Sequence, residues 1–210
     1  MAFTIQQFAR ARPYLFHLTA RHNVGRLRRT MTLESATRLL TAAGNAGVLS
    51  QKRSQIVEAV INGEMVLVRD QAPLYAGNVR FRNGWAIQDL LRDLNSRVFF
   101  WPGTGRGPVS YGVRHFQRYE AERPVIMRIG LLSLLEANEG VLPRFCRFNS
   151  GSPRCSGGLG SIRGPNTFLT ADVADFTPGK AVEVAFLDKV LLPADAQIGN
   201  SPNGPWRSLL

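Results

Sequence analysis

Residues 14–29 read YLFHLTARHNVGRLRR, and two backbone patterns meet inside them. Tyr14–Thr19 is aromatic and apolar and ends in threonine, the composition of a pleated strand. Pro13, just before it, stops the short helix expected over Phe3–Arg12, because proline has no amide to donate and restricts the residue that precedes it. Beyond the strand, Asn23 is a helix-capping residue, and a helix is expected to about Arg29. A strand that ends in His17-Leu18-Thr19 and turns at once into an arginine-rich helix sets the reading of the rest.

The same mixture continues outward. Glu34–Ala43 predicts a second helix, ended by Gly44. Ile56–Ile61 and Met65–Val68 flank Asn62-Gly63, a dipeptide that accepts the positive φ of a two-residue hairpin. Apolar residues at 87, 90, 91 and 94 give Trp85–Leu94 a helical period. Arg97–Trp101 (RVFFW) predicts a strand closed by Pro102-Gly103, Tyr111–Glu120 a helix, Val125–Ile129 a strand and Leu131–Ala137 a short helix. Ala181–Leu187 (AVEVAFL) predicts a late strand. Residues 149–166 are rich in Gly, Ser and Pro and form the longest expected loop, and Asn200–Trp206 reads as a polar tail. Helices and hairpins in this order predict an α+β fold, not a doubly wound parallel sheet, in one domain over 1–210.

Composition narrows the function. The chain has 210 residues, 44% of them apolar and 20% charged, which is globular and not disordered. Two cysteines exclude a disulfide scaffold and a four-cysteine zinc module, and three histidines without HExxH spacing leave no zinc-hydrolase pattern, so no metal is expected. No apolar run is long enough to span a bilayer and no secretory core opens the chain, so the expectation is a cytoplasmic protein without a membrane partner. The net charge is +11, of which residues 1–55 carry +8 (nine basic side chains against Glu34). Arginine's planar fork suits phosphate, so an anionic partner is one reading of that charge; a solvated basic face is the other.

No GxxxxGK[ST] loop and no GxSxG elbow is present, and GTGRG at 103–107 is followed by no clear helix start. Cys146 and Cys155 have no nearby histidine and make a poor metal pair. What remains is an ordered set: His17-Leu18-Thr19 on the first strand, RVFFW in the middle and Glu183 on a late strand. HLTARHNVGRLRR with TLESATRLL, then RVFFW, then AVEVAFLDKVLLPADAQI, resembles the DarT-type DNA ADP-ribosyltransferase toxins. The chain is also similar to a group of uncharacterised bacterial proteins that share RDQAPL, FFWPG, the NSG segment and RGPNTF.

The resemblance implies an ADP-ribosyltransferase-like fold, with mixed and antiparallel sheets around an NAD cleft and flanking helices. It implies NAD as substrate, a nucleic acid base in DNA or RNA as acceptor, and an antitoxin or immunity partner. His17 would then hydrogen-bond a ribose hydroxyl, the Leu18 backbone would receive the nicotinamide amide, and Thr19 would brace the turn. Phe99, Trp101 or Tyr111 would stack on nicotinamide. Glu183 would hold the reacting ribose and stabilise its cation, and a catalytic arginine would be Arg53, with Arg69 as the rival. Ala181 stands two residues before Glu183, where arginine-specific relatives carry a second glutamate; this argues against arginine as acceptor and is compatible with a nucleic acid base. Arg26, Arg28 and Arg29, with Arg114 and Arg118 beside the Tyr111–His115–Tyr119 face, are the candidate nucleic acid contacts.

Plainer readings stand beside these. His17 is also compatible with an ordinary half-buried histidine, and Glu183 with the solvent side of an edge strand. A non-enzymatic basic nucleic-acid-binding module fits the charge, and a metal-independent RNase fits a histidine paired with Glu and Arg.

Overall fold

The computed structural model describes residues 2–210. Its helices are α1 (Ile5–Ala11), α2 (Val24–Thr30), α3 (Ala36–Ala42), α4 (Ile87–Asn95), α5 (Ser110–Arg118) and α6 (Leu131–Glu136). Its strands are β1 (Tyr14–Thr19), β2 (Thr32–Glu34), β3 (Val57–Ile61), β4 (Glu64–Val68), β5 (Val79–Phe81), β6 (Arg97–Thr104) and β7 (Gly107–Pro108). They continue as β8 (Val125–Gly130), β9 (Arg144–Cys146), β10 (Ser161–Arg163), β11 (Glu183–Leu187), β12 (Lys189–Leu191), β13 (Gln197–Gly199) and β14 (Arg207–Ser208). The fold is α+β, as its mixed periodicities predict.

Eight strands form the main sheet in the order β14-β13-β8-β1-β6-β11-β9, with β7 on β6, and every pairing is antiparallel. β6 belongs to both halves. Its first half, Arg97–Phe100, pairs with β11; its second, Trp101–Gly103, pairs with β1. The β1–β6 ladder ends at Phe16–Trp101, while β1 stays on β8 as far as Thr19–Val125. The sheet therefore forks at His17. Three small pairs lie outside it: β3–β4 and β2–β12 antiparallel, β5–β10 parallel.

The principal core fills one face of the sheet with Phe8, Leu15, Phe100, Phe145, Val184 and Phe186. Phe8 and Phe145 pack with ring centroids 4.7 Å apart, and both are fully buried. A second cluster, with Leu90 and Leu91 of α4, covers Ala185 and Cys146 on the other side.

Several expectations change. Pro102-Gly103 does not close the β6 strand, which runs to Thr104. The pair sits at a crowded crossing: a Cβ on Gly103 would meet the Gly107 carbonyl at 2.2 Å and the Phe16 ring at 2.7 Å, so the glycine permits pairing on both sides. The segment 103–107 is the turn into β7. Asn23 stands at the N-cap of α2, as expected, but its side chain makes no capping hydrogen bond; its amide bonds the Leu67 main chain in both directions at 2.9 Å, tying α2 to β4. Glu34 belongs to β2, and α3 starts after Ser35, whose hydroxyl accepts from the Arg38 amide. The expected polar tail, Asn200–Trp206, is the turn that connects β13 to β14, and it is packed down: Trp206 lies on Phe16 at 5.7 Å, and Leu209 just beyond it is fully buried. Glu183 is on an interior strand between β6 and β9, not on an edge. Ala181 precedes that strand. Among the described residues no helix is long and apolar enough to cross a membrane.

Candidate functional site

The fork opens into a cleft of about 270 Å³. His17, Leu18, Thr19, Arg53, Phe99, Trp101 and Glu183 all line it, so the structure brings one residue from each expected segment to a single site. Strand alternation alone would separate the two ends of the set. His17 follows Leu15 on the side of the principal core, whereas Glu183 shares its side with Ala185 and the second cluster. The parting of β1 from β6 exposes both to the same space.

His17 donates Nδ1–H to the carbonyl of Phe99 at 2.8 Å, which bridges the fork where strand pairing has stopped. A carbonyl only accepts, so Nδ1 carries the proton. Burial lowers the His17 pKa against the opposing pull of that carbonyl, so the ring is neutral and Nε2 is a bare acceptor. Beyond Phe16, the β6-facing edge of β1 has no strand partner, which leaves the backbone around Leu18 open to the cleft.

Glu183 is 4% exposed. Its Oε2 accepts from the backbone amide of Ser150 at 3.0 Å. Burial pushes its pKa up to about 7, while hydrogen bonds from Ser150 and the positive field of Arg163 pull the other way. Arg163 is buried in the same region and escapes detection in the sequence, where it looks like one more arginine in a Gly-rich stretch. Its Nη2 donates to the Asn149 carbonyl (3.1 Å), Nε to the Ser150 carbonyl (3.4 Å), and Nη1 to Ser161 and Ile162. It lies over the Phe148 ring at 5.0 Å. Arg163 thus fixes the 149–150 turn whose amide holds Glu183. Cys146, opposite Glu183 in the β9–β11 ladder, is buried and its thiol is pushed up to about 12, so it is no nucleophile.

Arg53 is 8% exposed and, among the described residues, has no carboxylate within 4 Å. Its Nη1 donates to Asn95 Oδ1 at 2.7 Å and its Nε to the Arg69 carbonyl at 3.2 Å. Asn95 is itself held by Gln71 and the Leu49 carbonyl. Burial lowers the Arg53 pKa to about 10, with Asp70 opposing. Arg69, the rival, differs: it pairs with Glu122 and lies over the Tyr119 ring at 4.2 Å. Arg53 is thus a buried cation in the cleft with Asp70 acting on it only at a distance and no ion pair within 4 Å among the described residues, which favours an anionic ligand.

The aromatics divide. Phe99 lines the cleft and packs against Phe168. Trp101 is covered by His115 at 4.7 Å, and His115 in turn by Tyr119 at 4.9 Å. Burial and the charges of Arg69 and Arg118 drive the His115 pKa down to about 4. Tyr111, expected among the stacking aromatics, does not line the cleft; it is half-buried on α5 with Arg114 4.7 Å from its ring. The N-terminal arginines are also corrected. Arg26 pairs with Glu34 at 2.7 Å and the exposed Arg29 pairs with Glu64, while Arg28 donates to the Leu209 carbonyl at 2.7 Å, a neutral acceptor that leaves its charge unmatched. Arg114 and Arg118 remain exposed on α5. Among the described residues no three His, Cys, Asp or Glu side chains group as a metal site.

No curated protein and no solved structure matches the chain. Residues 13–190 match the family model DUF7002, described as a family of unknown function. That span holds β1, β6 and β11 and every cleft residue from His17 to Glu183, and the chain belongs to the DUF7002 family.

Proposed function

We propose that the protein is an NAD-dependent mono-ADP-ribosyltransferase whose acceptor is a nucleic acid base. One observation carries the reading: a neutral His17 with a bare Nε2 and a buried Glu183 anchored by Ser150 face one cleft at the fork of the sheet. Breaking the nicotinamide–ribose bond develops positive charge on the sugar. A carboxylate held in place beside it stabilises that charge without having to reorganise. Glu183, ionising near 7, suits this role and that of base for the incoming acceptor. His17 Nε2 accepts a ribose hydroxyl, and Arg53 supplies positive charge for a pyrophosphate. The apolar bank of Leu33, Leu39, Val66 and Leu74 excludes water. Incubation with labelled NAD and DNA or RNA tests the reading. Label transfer or NAD cleavage that disappears in Glu183→Gln supports it; neither event in the wild type overturns it.

A second reading rests on the same two side chains. A neutral histidine, a carboxylate ionising near 7 and a buried arginine also make an acid–base pair for metal-independent RNA cleavage. RNA fragmentation without NAD, lost in His17→Ala, favours it.

A further inference from the structure

The cleft continues into a second hollow of about 500 Å³, and Ile56 and Asp70 line both. Ser54, Gln55, Arg118 and Tyr119 lie farther out in the hollow. Its charges are unequal in availability. The Asp70 Oδ1 atom accepts from the Tyr119 hydroxyl (2.9 Å) and the Ala72 amide (2.8 Å), and Glu122 is paired with Arg69. Arg118 has no carboxylate within 4 Å among the described residues, nor does Arg114 one helical turn before it. Three arginines of the N-terminal quarter are the reverse: Arg26, Arg29 and Arg38 are matched by Glu34, Glu64 and Asp188.

We propose that single-stranded nucleic acid reaches the cleft over α5, with backbone phosphates on Arg118 and Arg114 and one base passing Ile56 and Asp70 toward Glu183. Arg26 and Arg29, already matched by carboxylates, are not its phosphate contacts. An exposed guanidinium fork with no carboxylate partner matches a backbone phosphate in geometry and charge. Ser54 and Gln55 add neutral donors beside Arg118. A base inside a duplex cannot enter an enclosed cleft, so the strand must be single or the base extruded. The transferase reading supplies only the chemistry at the end of this path; the docking surface is tested without NAD.

The test is fluorescence anisotropy of labelled single-stranded DNA and RNA oligonucleotides, with the wild type, the Arg114→Glu/Arg118→Glu double variant and Arg29→Glu. Circular dichroism melting checks that each variant is folded. The double variant is expected to lose about tenfold or more in affinity and to lower the salt slope by about 2, one for each phosphate contact. Arg29→Glu, with an equal change of charge per site, is expected to lose much less. If neither oligonucleotide binds the wild type, or if Arg29→Glu loses as much as the double variant, the surface is wrong. Absence of NAD turnover with this binding pattern intact overturns the transferase reading alone.

Discussion

The backbone amide of Ser150 donates to Glu183 Oε2 at 3.0 Å, and this contact joins the Gly/Ser-rich loop to the interior strand of the sheet. Arg163 stabilises it from behind by donating to the carbonyls of Asn149 and Ser150. The carboxylate is therefore aimed by main chain, and the main chain is held by a buried guanidinium.

Glu183→Gln removes the charge at nearly constant volume. NAD turnover is expected to fall by about 10²–10⁴-fold. Stability should move in the opposite sense. Burial raises the pKa from 4.5 to about 7, so the fold favours the neutral carboxyl. The stability tied to it is full below about 4.5 and is lost as pH rises through 7. The glutamine variant lacks this loss and should exceed the wild type at alkaline pH by up to about 3 kcal/mol, read from urea unfolding at pH 5 and pH 9.

His17→Asn retains a donor near the position of Nδ1 and deletes the acceptor at Nε2. The bond to the Phe99 carbonyl should survive, and unfolding free energy should change by no more than about 1 kcal/mol. NAD affinity should drop about tenfold, since one hydrogen bond is lost at the ligand. Equal losses in binding and folding would show that His17 only braces the fork.

Arg53→Met fills the same space without a charge. The buried guanidinium costs desolvation and has no acid partner, so the variant should be as stable as the wild type or more so. Thermal shift with inorganic pyrophosphate separates the roles. The wild type should gain apparent stability, about 2.7 kcal/mol at a ligand concentration 100 times its dissociation constant, and the variant almost none.

Arg163→Gln cuts several charge-assisted hydrogen bonds in a buried place. A loss of about 3 kcal/mol or more is expected in urea unfolding. In the folded fraction, the Glu183 carboxyl, followed by ¹³C NMR titration, should titrate higher than in the wild type, because the field of Arg163 and the Ser150 bond both favour the ionised form. An unchanged titration would mean that the loop keeps its place without Arg163.

Deleting residues 206–210 tests the sheet's outer edge. Trp206 lies on Phe16 and under Arg128, and Leu209 is fully buried. The truncated protein should lose about 3–5 kcal/mol, in keeping with removal of a core aromatic.

Local pattern carries far in this chain. YLFHLT, the Asn62-Gly63 hairpin and the α4 period form as their residues imply, since alternation, turn dihedrals and helical spacing act over a few neighbours. Pro102-Gly103 and the final residues misled because their environment is set by distant strands: β1 and β7 crowd Gly103, and Phe16 captures Trp206. Arg163 and Asn95 were invisible for the same reason. Their neighbours in sequence are ordinary, and only burial makes their hydrogen bonds matter.

The opening stretch itself determined a strand, a turn and a helix, and with them the α+β class. What it could not determine is that β1 leaves β6 after Phe16. Strand alternation assigns His17 and Glu183 to different sides, and residues that far apart in the chain share a site only if the sheet divides between them. The charge followed the same rule. Composition placed the positive excess in the first quarter, but ion pairs depend on approach within a few ångströms, and folding set carboxylates beside Arg26, Arg29 and Arg38 while leaving Arg53, Arg114 and Arg118 without them. Local sequence decided the elements; tertiary contact decided which charges remain to meet a partner.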